Sequence, residues 1–394
     1  MTGAAPGARR KVLLVTPYFP PHVGGVESYT AQLATRLSAL GWAVVVVTTG
    51  NAGDATENLD GMRIYRLKPA ATLSNTPVGL RWRRRLKDIL ETEQPDVINA
   101  HTPVPYLADM AQRSCGSLPF VLTYHNDLAK DGVLAAAIAR LAHLALIRRT
   151  LNGSHAIIAT SEYYARESRY LRRHRPKIEI VPPGVDFTRF HPGVTVEGRL
   201  AARFDGTRVI LFVGSLGRTQ KHKGLDVLID AFAVLHDESP DVRLVVVGDG
   251  DGHGMYQSRA AARGLEDSVT FAGRVSDDDL AQYYKCARVL AMPSTNRSEG
   301  FGMVYMEAAA VGTPVVGTRT GGVPYAVLDD KTGLLAQPGD AGSLGLALRR
   351  ILDDDDLARR LGRAGSARAA EDFGWPQLAE RTAGVLGRAV AGTA

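Results

Sequence analysis

The densest chemistry in the chain lies between Pro293 and Val316, PSTNRSEGFGMVYMEAAAVGTPVV. Glu299 closes a polar loop, Gly300-Phe301-Gly302 turns the chain into a helix, and Glu307 follows about 1.5 turns along it. Backbone N–H groups at a helix start have no intrahelical acceptor, so they favour an anion. A phosphate there would lie between one carboxylate before the helix and one along it. Like charges repel, so the two carboxylates are not phosphate ligands. They suit hydroxyls, a sugar on one side and a ribose on the other. A glutamate capping its own helix is the plainer alternative for this segment taken alone.

Other residues invite a chemical reading. Gly24-Gly25 follows an apolar run, where the lack of a Cβ lets backbone approach a ligand. His125 ends FVLTY and His101 follows DVINA, although a strand-end histidine is more often structural. Gly248-Asp249-Gly250, with Gly252 and Gly254, resembles a dinucleotide fingerprint but lacks its spacing and lies in the second half of the chain. Asp277–Asp279 and Asp353–Asp356 look like metal sites, yet each fits an exposed helix start better, where acids complement the dipole.

The elements that must position these residues read as two α/β units. Lys11–Thr16 (KVLLVT) is a continuous apolar run, as a buried parallel strand requires. A Pro/Gly loop, a helix over Glu27–Leu40 closed by Gly41, and a strand over Val44–Thr48 follow. Asp96–Asn99, Phe120–Tyr124 and Ala156–Thr160 are further strands. The pattern restarts at Arg208–Val213, with a helix over Leu225–Leu235 and strands over Arg243–Val247, Val269–Ala272, Val289–Met292 and Pro314–Gly317. The Pro- and Gly-rich stretch VPPGVDFTRFHPG is the connector. Expected domains are 1–190, 191–374 and a terminal helix over 375–394 that crosses back to the first domain. Two doubly wound parallel sheets in tandem imply a deep cleft between the carboxyl ends of their strands.

A chain of 394 residues, 45% hydrophobic and 22% charged, can bury two cores without staples. Two cysteines, Cys115 and Cys286, leave no disulfide framework or cysteine zinc cluster, which fits a reducing cytoplasm. The polar N-terminus and the short run Val12–Val15 do not read as a signal peptide. The apolar helix candidate Val133–Ile147 is broken by Arg140 and His143 and is too short for a membrane span. Net charge is +6, but residues 1–190 carry +9 and the remainder −3. The excess sits in Arg81–Lys87 (RWRRRLK) and Arg166–Lys177 (RESRYLRRHRPK), either solvated helix faces or contacts for an anionic partner. Arg81–Leu90 could form a short interfacial helix at a membrane.

The segment around Glu299 and Glu307 resembles the Glu–seven residues–Glu signature of glycosyltransferase family 4, retaining nucleotide-sugar enzymes of GT-B fold. VGGVE, TYHND, IIATSEYY, VPPGVD, KGLDVLIDAF, VVVGDG, GRV and SEGFGMVYMEA fall in that family's order over nearly the whole chain. The resemblance implies that Glu299 holds donor-sugar hydroxyls and Glu307 the nucleotide ribose. It implies backbone contacts to sugar and phosphates from Phe301, Gly302 and Met303, and a phosphate-binding Lys223. Gly24-Gly25 would lie near the donor phosphates and acceptor, and His125 near the reaction centre. His101 is the candidate lining the acceptor side. Gly248 would approach the donor nucleotide, and Arg274 and Val275 the base. Ser215 stands where the family usually has Arg, so Arg218 is the expected second phosphate contact. Tyr325 stands where it commonly has Glu.

The resulting expectation is a hexosyltransferase that moves a sugar from a UDP- or GDP-sugar to a hydroxyl, with retention and without metal or other cofactor. The leaving diphosphate gains negative charge, which Lys223, Arg218 and the helix start would stabilise. The acceptor is lipid-linked, phosphorylated or a soluble natural-product core of aminocyclitol type; nucleic acid is not expected. The enzyme would work in the cytoplasm of a bacterium, peripherally at the inner membrane face. An epimerase of the same fold, a dinucleotide-dependent dehydrogenase and a catalytically silent binding protein are the competing classes. The full glutamate signature speaks against the first, and the missing Gly fingerprint against the second.

Overall fold

The computed structural model describes residues 9–22, 24–50, 53–73, 76–127 and 146–392. The apolar stretch Val133–Ile147 lies, but for its last two residues, outside them. Among the described residues no helix is long and apolar enough to cross a membrane. The chain forms two compact units, Met1–Pro183 with Trp375–Ala394, and Gly184–Gly374. The division falls before the expected boundary at 190, because the connector packs with the second unit. Val185 donates its N–H to Phe373 O at 2.7 Å, and the Phe190 ring lies 5.9 Å from that of Tyr284.

The first unit holds an eight-stranded sheet. Its strands are β1 (Lys11–Val15), β2 (Ala43–Thr49), β3 (Ala55–Leu59), β4 (Met62–Leu67), β7 (Val97–Thr102), β8 (Phe120–Tyr124), β9 (Ala156–Ala159) and β10 (Ile178–Ile180). Their order is β10-β9-β8-β7-β1-β2-β4-β3, parallel except for the β3–β4 hairpin. The short strands β5 (Ala71–Leu73) and β6 (Thr76–Val78) pair separately. The order reverses beside β1, between β2 and β7, so the β1 and β7 loops meet at the switch point of the sheet. The Gly25–Ala39 helix follows β1, and Gly41 takes φ +89 just beyond it. The Trp375–Ala391 helix packs against Gly25–Ala39, with the Tyr29 and Trp375 rings 5.3 Å apart.

The Trp82–Glu93 helix corrects the interfacial reading of Arg81–Leu90. Trp82, Leu86, Ile89 and Leu90 are buried in the unit's own core. An interfacial helix needs that apolar face for the bilayer. Arg81, Arg83, Arg84, Lys87 and Asp88 are what the segment turns outward.

The second unit holds a fully parallel sheet of β11 (Arg208–Val213), β12 (Val242–Val247), β13 (Val269–Gly273), β14 (Val289–Ala291), β15 (Val315–Thr318) and β16 (Leu334–Ala336). Its order, β13-β12-β11-β14-β15-β16, is that of a dinucleotide-binding sheet. Strands buried on both faces need unbroken apolar runs, and RVILFV and VRLVVV supply them. The order reverses between β11 and β14, and the loops leaving those two strands carry Lys223 and Glu299.

Candidate active site

Lys223 Nζ lies 3.4 Å from Glu299 Oε2, and Ser294 Oγ donates to the same oxygen at 3.3 Å. Their two loops are stitched by the Thr295 N–H, which donates to His222 O at 2.7 Å. Gly224 ends the Lys223 turn at φ +74, and a Cβ there would collide with Pro293 O. Only glycine allows both the backbone angle and the approach. The pair is largely buried, with side-chain exposures of 23% for Lys223 and 11% for Glu299.

Gly302, at φ +81, opens the Met303–Val311 helix, and no side chain caps that start. The first N–H groups of the helix are therefore left without a capping side chain beside Glu299. The loop is held from below. Tyr305 is buried beneath Gly302 and donates its hydroxyl to Met292 O at 2.6 Å. The Gly322 N–H donates to Glu299 O at 3.1 Å, and a Cβ on Gly322 would strike Gly300 O. The Phe301 side chain is buried 5.4 Å from the Phe373 ring and 6.0 Å from that of Tyr325. Tyr325 itself receives Arg368, whose guanidinium donates at 2.7 Å to Tyr325 O and at 2.7 Å to Ala326 O. That packing accounts for a tyrosine here: it is a wedge behind Phe301, where a glutamate would lose the ring contacts.

Glu307 accepts from Tyr284 Oη at 2.8 Å through Oε2, which leaves Oε1 for a ligand. Burial pushes its carboxyl up to about 7; the Tyr284 hydrogen bond works against that rise and Asp277 adds to it.

Arg218 and Ser215 are exposed. The Arg218 N–H donates to Asp251 Oδ1 at 2.7 Å and its Nε to Asp251 O at 3.3 Å, so its hydrogen bonds run to the glycine turn and not to Glu299. Gly248, at φ +135, lies so close to Gly214 O that any Cβ would clash. Exposed Arg274 and half-buried Val275 follow Gly273, whose carbonyl accepts from the Gly248 N–H at 2.8 Å. Asp277–Asp279 form the first turn of the Asp277–Cys286 helix; of the second cluster, Asp353 ends the Ala341–Asp353 helix while Asp354 caps and Asp355 and Asp356 open Asp355–Asp372.

In the first unit Gly24 and Gly25 begin the helix after β1, with the Glu27 carboxylate folded over Gly24. His125 follows β8. Its carbonyl accepts from Thr160 Oγ1 at 3.0 Å, and Asp127 beyond it accepts from Tyr124 Oη and Ser168 Oγ, each at 2.7 Å. His101 lies inside β7 rather than after it. It is 0% exposed, so it lines no acceptor surface; it backs His125, with Nδ1 3.1 Å from His125 Nε2. Burial pushes His125 down to about 3, and burial together with His125 holds His101 well below the usual imidazole range.

Tyr284 and the Gly321-Gly322 turn complete these sites from distant parts of the chain and leave no local pattern, whereas Ser294 and Asp127 sit within a few residues of Glu299 and Tyr124.

Two Rossmann-like sheets, with an acid–cation pair and an uncapped helix at the second sheet's switch point, define the architecture of a nucleotide-sugar transferase. Residues 201–368 match the family model "Glycosyl transferases group 1", and residues 23–189 match "Glycosyltransferase Family 4". The chain is 30% identical over 390 residues, 95% of its length and 98% of the relative's, to a GDP-mannose-dependent alpha-(1-6)-phosphatidylinositol monomannoside mannosyltransferase of Mycobacterium tuberculosis. A D-inositol 3-phosphate glycosyltransferase of Streptomyces avermitilis is 41% identical over 243 residues, 58% of this chain and 50% of that protein. The structure resembles sucrose-phosphate synthase of Thermosynechococcus elongatus with a TM-score of 0.79 at 25% identity, covering 98% of this chain and 100% of that one. The chain belongs to glycosyltransferase family 4 and has the GT-B fold.

Proposed function

We propose that the protein transfers a hexosyl group, with retention and without a metal, from a nucleoside diphosphate sugar to a hydroxyl of an inositol phosphate or phosphatidylinositol-type acceptor. The observation that carries the donor half is the Lys223–Glu299 pair beside the uncapped helix start at Gly302. The acceptor half draws on the names of the two relatives and on the basic excess of residues 1–190. Lys223 and the backbone of Phe301, Gly302 and Met303 take the diphosphate, Glu299 the sugar hydroxyls and Glu307 the ribose. Gly248, Arg274 and Val275 flank the base, and Gly24-Gly25 is the glycine loop the first unit offers to substrate.

The bond from the anomeric carbon to the diphosphate oxygen breaks, and that oxygen keeps the electron pair. Lys223 and the helix start stabilise the charge it gains. The acceptor hydroxyl attacks from the same face and gives its proton to the departing phosphate oxygen. His125 takes part as a neutral ring, since burial lowers its pKa to about 3. Arg218 contributes when its side chain leaves Asp251, so Lys223 is the principal cation. The reaction is placed in the cytoplasm, at the membrane face when the acceptor is lipid.

The test is transfer itself. UDP-, GDP- and ADP-sugars are paired with inositol phosphate and phosphatidylinositol vesicles in the presence of a chelator, and the product's anomeric configuration is read by NMR. A product with the donor's configuration supports the reading. An inverted product, or one formed only when divalent metal is restored, contradicts it.

A further inference from the structure

His101 is a buried polar side chain for which the transfer chemistry above has no direct use. It lies in β7 opposite Thr123 of β8, and His125 continues β8 two residues beyond Thr123, so both rings fall on one face of the sheet. Their centroids are 5.4 Å apart with an interplanar angle of 23°. Tyr29 stands edge-on to both, 5.8 Å from His101 and 4.8 Å from His125. The only hydrogen bond between the rings joins His101 Nδ1 and His125 Nε2 at 3.1 Å. His101 Nε2 is buried and has no hydrogen-bond partner among the described residues.

Two neutral imidazoles can share that bond in two ways. If His125 donated, His101 would accept at Nδ1 and carry its proton on Nε2, where it would be an N–H buried without an acceptor. If His101 donates, Nε2 is a bare lone pair. Orphaned buried N–H groups are rarer than unsatisfied acceptors, so the second arrangement is preferred. We propose that His101 is a positioning residue that donates from Nδ1 to His125 Nε2, fixing His125 as the Nδ1–H tautomer, so that it offers substrate a hydrogen-bond donor and no base. This gives His125 a definite part in the transfer reading, on which it rests: it offers a hydrogen-bond donor to a substrate oxygen and leaves the acceptor proton to the phosphate. Burial of both rings keeps them uncharged, as the assignment requires.

The tautomer is read directly from long-range ¹H–¹⁵N correlation spectra of ¹⁵N-histidine-labelled protein, with His125 assigned by its absence in His125→Ala. The native protein should show His125 protonated on Nδ1. His101→Asn places a carboxamide N–H where Nδ1 was and should keep that signature. His101→Leu removes the donor; the signature should shift to Nε2–H or to a mixture, and kcat should fall on the order of tenfold to a hundredfold with donor KM unchanged. His125 protonated on Nε2 in the native protein overturns the proposal, as does His101→Leu with unaltered tautomer and kcat. The spectra need no substrate. Absence of nucleotide binding would sink the transfer reading without touching the tautomer, and a wrong tautomer leaves that reading in place.

Discussion

Tyr284→Phe tests the electrostatics of the ribose carboxylate. The Tyr284 hydroxyl is 2.8 Å from Glu307 Oε2 and opposes the burial that lifts this carboxyl to about 7. Asp277, on the same helix as Tyr284, is the other ionisable group that reaches it. A hydrogen bond to a charged acceptor contributes about 1.5–3 kcal/mol, equivalent to about one to two units of pKa. Without the hydroxyl, Glu307 should titrate well above neutrality. At pH 7 about half of these carboxylates are ionised in the native protein, and a one-unit rise leaves about a tenth. Nucleoside diphosphate affinity at pH 7, measured by calorimetry, should therefore drop about fivefold and recover near pH 9. The same shift has a stability signature. A carboxyl raised from 4.5 to about 7 binds its proton more tightly folded than unfolded. Its contribution is full below pH 4.5 and is lost as pH rises through about 7, a difference on the order of 3 kcal/mol. Glu307→Gln should remove that slope from the melting profile. Equal pH midpoints for nucleotide binding in native protein and Tyr284→Phe would refute the reasoning.

Other substitutions separate the parts of the site. Lys223→Ala should cut kcat by about 10²–10³, whereas Arg218→Ala, whose side chain already donates through Nε to Asp251 O, should cost less than about tenfold in the same transfer assay. Gly224→Ala combines a positive φ with a collision at Pro293 O and should lower unfolding stability by on the order of 3 kcal/mol in denaturant titration, weakening donor binding as Lys223 moves. Flotation on anionic liposomes should be salt-sensitive and weakened by Arg83→Ser, Arg84→Ser and Lys87→Ser together, because the Trp82–Glu93 helix offers charge but no free apolar face. Binding that survives high salt would contradict that account.

The sheets were legible because a strand buried on both faces must be an unbroken apolar run. Phe120–Tyr124 and Arg208–Val213 are strands over the expected residues. β7 extends past the expected Asp96–Asn99 through Ala100, His101 and Thr102; Asn99, His101 and Thr102 are polar residues in a buried strand. They are tolerated inside the sheet because β8 satisfies them: Thr123 Oγ1 accepts from Asn99 Nδ2 at 2.9 Å, and His125 pairs with His101. Such partners lie on another strand and leave no local pattern. The same limit hid Tyr284 behind Glu307 and the Gly321-Gly322 turn behind Glu299. In Trp82–Glu93 the amphipathic pattern was visible, but whether its apolar face meets a bilayer or the protein's own core depends on tertiary packing.

Nucleotide binding without metal tests the central claim most directly. In a thermal-shift panel of UDP, GDP, ADP and their common sugars, a ligand at 100 times its Kd should stabilise the protein by about 2.7 kcal/mol. The account predicts a clear shift with one base, retained in chelator and lost in Glu307→Ala. No shift with any nucleotide, or one that survives Glu307→Ala, would contradict it.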